Sequence, residues 1–386
     1  MMDTHEALAE LASQGLLRTR RVVAGPQGPY LEVEDSQLLS FCSNDYLGLA
    51  NHPEIVAAAT TALHKYGMGA AASPLISGHS AAQEQLEHDL AAFCGQPAAL
   101  SFSNGYMANL GVIGALVGVG DTVVVDRLSH ASLIDGARLS GASLKVFPHN
   151  DAARLEQVLA RCSSPRKLVV SDAVFSMDGD AAPLANLAAV CARHDAWLLV
   201  DDAHGLGVLG PQGRGSLAAA GVQAPHVLLM GTLGKAAGVA GAFIAGESGL
   251  LAWIMQRART YMFSTANPPA LAAATSASLS IIVREEWRRQ RLRQLATQLR
   301  TALTGLPWSL LPSDTAIQPL IVGDNHLARR LSQRLRTEGL WVPAICPPTV
   351  PKGTARLRIS LSALHTDSHI SQLAEALRRA AQEHHA

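Results

Sequence analysis

The stretch 197-WLLVDDAHGLGVLG-210, followed after a Gly-rich linker by 226-HVLLMGTLGKAAGVAG-241, holds two short apolar runs that each break off into polar residues. Trp197 to Val200 and Val227 to Met230 read as strands buried on both faces of a parallel sheet: short, apolar at every position, and bounded by turn residues. In an open parallel α/β sheet, ligands gather at the carboxyl ends of the strands. The first end here carries Asp201, Asp202 and His204; the second carries Thr232 and Lys235.

An acid at one strand end and a lysine at the next are the pair that pyridoxal phosphate requires. Its aldehyde condenses with a lysine amine, and its pyridine nitrogen needs a carboxylate to stay protonated so that the ring can accept electrons. Only five lysines occur, at 65, 145, 167, 235 and 352, and only Lys235 follows an apolar strand into a Gly/Ala turn. A lone lysine on a βα loop is ordinarily a solvated surface group; the acid, histidine and threonine beside Lys235 favour the cofactor. Adjacent strand residues face opposite ways, so Asp201 and Asp202 compete for the pyridine nitrogen.

Outward from this centre the βα alternation continues. Ala98 to Phe102 reads as a strand that turns at Ser103-Asn104-Gly105-Tyr106 into a helix over Met107 to Val117. Many helices begin with glycine and small polar residues, but beside Lys235 this helix start reads as the phosphate cradle. Asp121 to Asp126 is a further strand leading to His130, which by itself reads as a helix cap. Leu144 to Phe147 and Leu168 to Asp172 are strands, the second leading to Ser176, and Pro183 to His194 is a helix. Gly67-Met68-Gly69 is not a dinucleotide fingerprint, because no strand precedes it; it reads as a small-residue loop lining the active site.

Residues 4–17 read as an amphipathic helix followed by Arg18, Arg20 and Arg21. Tyr30 to Val33 and Leu38 to Phe41 form a hairpin, and Pro53 to Tyr66 and Ala82 to Cys94 are helices. Tyr261 to Pro269 reads as a strand end and a helix start. Residues 268–304 read as one long helix whose Arg288, Arg289, Arg291 and Arg293 form a solvated face with Glu285 and Glu286. The remainder, 306–386, alternates strands and helices, with Leu357 to Leu361 its clearest strand.

The motifs D-D-A-H-G-x-G-V-x-G and T-L-G-K, with S-N-D-Y-L-G-L, D-R-L-S-H-A-S, V-F-S-M-D-G-D and P-P-T-V-P-x-G-T-A-R-L-R, resemble those of the α-oxoamine synthases, pyridoxal-phosphate enzymes of fold type I. The resemblance runs from about Arg18 to the last helix. It implies an α/β fold with a mostly parallel sheet covered by helices, a smaller α+β C-terminal domain and an N-terminal helical arm. The expected division is 1–40 for arm and hairpin, 41–285 for the cofactor-binding large domain and 286–386 for the small domain. It further implies a homodimer with the active site at the subunit interface.

Carried over residue by residue, the resemblance makes Lys235 both anchor and base, and Asp201 the partner of the pyridine nitrogen. His130 stacks on the ring and meets substrate. Gly105, Tyr106, Ser176, His204 and Thr232 contact the cofactor. Arg18, Asn44, Thr349 and Arg358 contact substrate, Arg358 by pairing with the amino-acid carboxylate as a guanidinium fork can. Thr265 is expected at the partner subunit's phosphate. Cys346 stands where the family often has arginine. The motif set is most similar to members that condense L-alanine with pimeloyl-CoA, or a pimeloyl-carrier protein, with loss of carbon dioxide, early in biotin synthesis. Alternatives are a sister synthase using glycine or serine with another acyl-CoA, an aminotransferase, and a non-catalytic pyridoxal-phosphate-binding protein.

Composition sets the outer limits. The chain has 386 residues, 48% hydrophobic and 16% charged, which fits a well-buried globular protein of more than one domain. Lys+Arg and Asp+Glu both number 31, so no basic excess points to nucleic acid. Five scattered cysteines without C-x-x-C fit a reduced, cytoplasmic protein. Fifteen histidines show no zinc spacing, so no metal is expected. The N-terminus lacks a signal-peptide pattern, and Leu110 to Gly120 is too short to span a bilayer.

Overall fold

Seven strands form the central sheet of the computed structural model, which describes residues 2–13, 17 and 19–385. In spatial order they are Ala98–Phe102, Ala242–Gly246, Val227–Thr232, Trp197–Asp201, Lys167–Asp172, Thr122–Asp126 and Ser143–Phe147. Only Ala242–Gly246 runs antiparallel to its neighbours. Both faces of the sheet are covered by apolar clusters. Val124, Val169, Leu198, Val200 and Leu229 belong to one cluster, and Val123, Val125, Val170, Leu199 and Leu228 to the other. Successive side chains point to opposite faces, and here both faces need apolar groups, so these strands read as unbroken runs rather than alternating ones.

Two smaller sheets complete the chain. Ser309–Leu310, Ile317–Gly323, Ala355–Ser360 and Ala344–Ile345 form an antiparallel sheet in that order. The N-terminal hairpin, Tyr30–Val33 with Ser36–Ser40, takes Leu340–Trp341 as a parallel third strand. A segment near the N-terminus is thereby joined to one in the C-terminal part of the chain.

Three readings of the sequence are corrected. The expected helix over 268–304 is two helices, Pro269–Arg284 and Glu286–Ala302, broken at Glu285 (φ −104°, ψ 64°). Its arginines are not all solvated. Arg288 is 5% exposed and donates to the Leu47 carbonyl at 2.7 Å and to Glu285 at 2.8 Å. Arg289 is 1% exposed, pairs with Glu286, and donates to the Ile282 carbonyl at the break at 2.5 Å. At the helix break the first turn of the second helix carries its arginines inward, and the buried charges are tolerated because each has a carboxylate partner. The segment before Pro269 is a short helix, Arg259–Met262, and a loop rather than a strand end. The first helix is described over Thr4–Ser13, where no residue is buried; the expected continuation over 14–16 lies outside the described residues.

Candidate active site

Four strands deliver polar residues to one edge of the sheet. Asp126, Asp172, Asp201 and Thr232 are the last residues of their strands. The strands are parallel, with Asp172 opposite Asp201 and Asp201 opposite Met230, so these ends lie side by side.

The adjacent acids separate as strand alternation requires. Asp201 accepts from Asn109 Nδ2 at 2.8 Å and from the Ala203 amide at 3.1 Å. Asp202 accepts instead from the Ser216 amide and hydroxyl, at 2.7 and 2.5 Å. A Cβ on Gly205 would lie 2.1 Å from the Asp202 carboxylate, so a glycine is required there for the acid to pack. Burial pushes Asp202 up to about 7. Asp172 accepts from the His130 amide at 2.8 Å. Burial and the neighbouring Asp201 hold its carboxyl well above the usual carboxylate range.

Lys235 places its Nζ 2.9 Å from His204 Nε2. Burial pushes its ammonium down to about 8; Asp201 and Asp172 oppose that shift, and the Arg358 charge adds to it. His204 is buried, with Nδ1 2.6 Å from the Tyr46 hydroxyl. Burial, then the charges of Lys235 and Arg358, hold its imidazole well below its ordinary value and therefore neutral. Arg358 donates from Nε to the Ser176 carbonyl at 2.6 Å, and from Nη1 to Asn44 Oδ1 at 3.2 Å and Ser360 Oγ at 2.7 Å. Its Nη2 reaches the Tyr46 hydroxyl at 3.4 Å. Asn44, Tyr46, Ser176, His204, Lys235 and Arg358 are thus one connected group, held at one end by Arg288 on the Leu47 carbonyl.

His130 caps the helix Ala131–Leu139 and leaves its ring exposed at this edge, with Nδ1 2.8 Å from Ser132 Oγ. The helix Gly105–Leu116 is capped by Asn104, which accepts from the Met107 amide at 2.9 Å. The Gly105 and Tyr106 amides therefore precede the first intrahelical bond. A Cβ on Gly105 would lie 4.0 Å from Thr232 Cβ, so the helix start and Thr232 adjoin. The Tyr106 side chain is exposed and its hydroxyl donates to Asp135.

One expected substrate contact, Thr349, lies apart from this group. Arg18 falls outside the described residues; nearby Arg21 pairs with Glu34 at 2.8 Å. Thr349 is exposed and lines a cavity of about 1190 Å³ with Cys346, Arg21, Arg336 and Trp341. Neither Lys235, Asp201, His130 nor His204 lines that cavity. Thr265 is exposed in a cleft shared with Ser103 and His79.

The family model for aminotransferase class I and II matches residues 36–377. An 8-amino-7-oxononanoate synthase 1 from Polaromonas sp. strain JS666 is 55% identical, over 96% of this chain and 93% of that one. The 8-amino-7-oxononanoate synthase of Nitrosomonas europaea is 52% identical over 99% and 100%. The chain belongs to the 8-amino-7-oxononanoate synthases, within the class I and II aminotransferases. Among solved structures, Sphingomonas wittichii serine palmitoyltransferase superposes with a TM-score of 0.92 at 32% identity, covering 98% and 96% of the two chains. The 8-amino-7-oxononanoate synthase of Francisella tularensis superposes at 0.77 with 28% identity, covering 90% and 99%. The fold is therefore that of fold type I, and the chain is a pyridoxal-phosphate-dependent acyltransferase that joins an amino acid to an acyl thioester.

In the 8-amino-7-oxononanoate synthase family the cofactor must find an amine, an acid, and a phosphate cradle within one cleft. The donor set here fits: a half-buried lysine, an acid on the adjacent strand end, and helix-start amides, unbonded among the described residues, beside a threonine hydroxyl. Sequence reasoning missed Tyr46, Asn109, Ser132, Asp172 and Ser360. Tyr46 stood inside the quoted S-N-D-Y-L-G motif, and Ser132 two residues beyond His130, so both were within sight. Asn109 sits mid-helix among apolar residues and Asp172 ends an ordinary strand; nothing local marks them.

Proposed function

We propose that the protein condenses L-alanine with a pimeloyl thioester, releasing the thiol and carbon dioxide and forming 8-amino-7-oxononanoate. The observation that carries this reading is the connected group from the Lys235 amine through His204 and Tyr46 to the Arg358 guanidinium. It sets a base and a carboxylate receptor on the same cleft. Pyridoxal phosphate supplies, when bound, an aldehyde that captures the amino group and a ring that takes up an electron pair.

The chain's own residues do the rest. Arg358, with Asn44, holds the amino-acid carboxylate, and a guanidinium fork fixes its orientation. Lys235, released as a neutral amine, takes the α-proton; its lowered pKa makes that form available near neutrality. Asp201 holds the proton on the ring nitrogen. His130 would lie against the cofactor's ring and meet substrate. Gly105, Tyr106 and Thr232 would hold the cofactor's phosphate, and Ser176 and His204 would serve its phenolic oxygen. A carbon–carbon bond forms between the amino acid's α-carbon and the acyl carbon as the C–S bond breaks. The bond to the α-carboxylate then breaks as carbon dioxide leaves, and a proton takes its place on the α-carbon. Arg18 and Thr349 serve the acyl substrate.

We assign the units 1–40, 41–285 and 286–386 as arm, cofactor-binding domain and small domain. The working form is a homodimer with the site at the interface. Met68, Ile76 and Phe263 are 74%, 81% and 68% exposed, on two segments joined by an Ala266 amide to Ala72 carbonyl bond of 2.9 Å. Apolar groups so placed call for a covering surface. A cytoplasmic setting fits five free cysteines, and no helix among the described residues is long and apolar enough to cross a membrane.

A second reading rests on the higher structural likeness to a serine palmitoyltransferase, 0.92 against 0.77. Thiol release separates the two. The cofactor-loaded protein is given pimeloyl-CoA with L-alanine, glycine or L-serine, and palmitoyl-CoA with each. Release confined to L-alanine with pimeloyl-CoA is expected. Release confined to serine or glycine, or to the longer thioester, would move the protein to the sister reaction.

A further inference from the structure

Asn109 and Ser132 have no part in the roles assigned above, yet both are buried, at 0% and 1% exposure, between Asp201 and His130. Asn109 Nδ2 donates to Asp201 Oδ2 at 2.8 Å and to Ser132 Oγ at 2.9 Å. Ser132 Oγ lies 2.8 Å from His130 Nδ1, and the Ser132 amide points at the same nitrogen at 3.3 Å. The direction of every bond in this chain is determined. A carboxylate only accepts, so the Asn109 amide must turn its NH₂ toward Asp201. That NH₂ then donates to Ser132 Oγ, whose single proton is left for His130 Nδ1. A backbone amide can only donate, so Nδ1 is an acceptor from both partners. The other face of the Asn109 amide registers the cost: Asn109 Oδ1 is buried with no hydrogen-bond partner among the described residues. Flipping the amide would give that oxygen the Ser132 hydroxyl but set it against the Asp201 carboxylate.

We propose that Asn109 and Ser132 are positioning residues that transmit the Asp201 carboxylate to His130 and fix its ring as the Nε2–H tautomer. The inference rests on the site assigned above, and it adds a donor to it. With Nδ1 occupied from behind, Nε2–H is the one hydrogen the exposed edge of the ring offers to a carboxylate or thioester oxygen of the substrates. His130 is thus oriented from its helix and from the buried side at once, while its amide is held by Asp172.

The test reads the tautomer directly. The full-length chain is labelled with ¹⁵N histidine, and long-range proton–nitrogen correlations are recorded with and without pyridoxal phosphate. His130→Asn assigns the signal. A protonated Nε2 and a bare Nδ1 are expected in both states. Ser132→Ala removes one ordinary hydrogen bond to Nδ1, which shifts the tautomer ratio about fivefold toward Nδ1–H. Asn109→Leu frees the Ser132 hydroxyl to rotate and shifts the ratio the same way by less. An Nδ1–H ring in the unaltered chain overturns the proposal, as does an unchanged ratio in either variant that retains its circular dichroism and melting transition. Absent thiol release together with an Nε2–H ring would retract the reaction and leave this inference standing.

Discussion

The depressed Lys235 ammonium gives the sharpest prediction. Its value of about 8 lies well under the ordinary 10.5. At pH 7 roughly one amine in ten is then neutral, against roughly one in three thousand for a solvated lysine. In the cofactor-free protein the modification rate of Lys235 by an amine-directed arylating reagent, followed by peptide mass mapping, should rise with a midpoint near pH 8. Two neighbours pull in opposite directions. Asp201 attracts the ammonium, so Asp201→Asn should lower the midpoint; Arg358 repels it, so Arg358→Met should raise it. The same shift is a stability term. The folded chain prefers the neutral amine, so the unfolded chain binds more protons between pH 8 and 10.5, and stability rises with pH across that window. Below it the buried charge costs about 3 kcal/mol, which Lys235→Met should recover in urea unfolding at pH 7 and not at pH 11. A wild-type midpoint above pH 10, or shifts of the same sign in the two variants, would refute the reasoning.

Other outcomes follow from the same geometry. Lys235→Ala should cut thiol release by at least about 10³-fold, with the circular dichroism spectrum unchanged, since anchor and base are lost together. Arg358→Lys loses the fork toward Asn44 and Ser360, and should raise the KM for the amino acid by roughly 30-fold, about 2 kcal/mol, with a smaller effect on the thioester. His149 bridges Asp126 and Asp180 at 3.0 and 2.8 Å; burial lowers its pKa, but the two carboxylates outweigh that and raise it to about 9. A raised histidine stabilises fully below about pH 6.5 and loses that contribution as pH passes 9. His149→Asn should therefore cost about 2 kcal/mol in urea unfolding at pH 6 and much less at pH 10. Ser216→Ala removes a donor to Asp202 and should lower the melting temperature while leaving pyridoxal-phosphate affinity within about twofold, because Asp202 faces away from the cleft.

What the sequence determined by itself was local. Apolar runs without alternation marked strands covered on both faces, and the residues just past them marked the ligand edge, so Lys235, Asp201, His204 and Thr232 could be placed together before any contact was known. Helix starts at Pro53 and after Ser103-Asn104 were legible because capping and turn residues act within a few positions. Tertiary structure decided whatever depends on a partner far along the chain. Asp201 and Asp202 are indistinguishable as neighbours; strand facing sends one to Asn109 and the other to Ser216. Arg358 meets Asn44 across 314 residues, and Arg288 meets Leu47 across 241. An arginine-rich run carries no signal that two of its members turn inward, because charge pattern alone describes a solvated face unless a buried acceptor exists to receive it. The same holds for Asn109, whose meaning lies in the carboxylate on one side of it and the hydroxyl on the other.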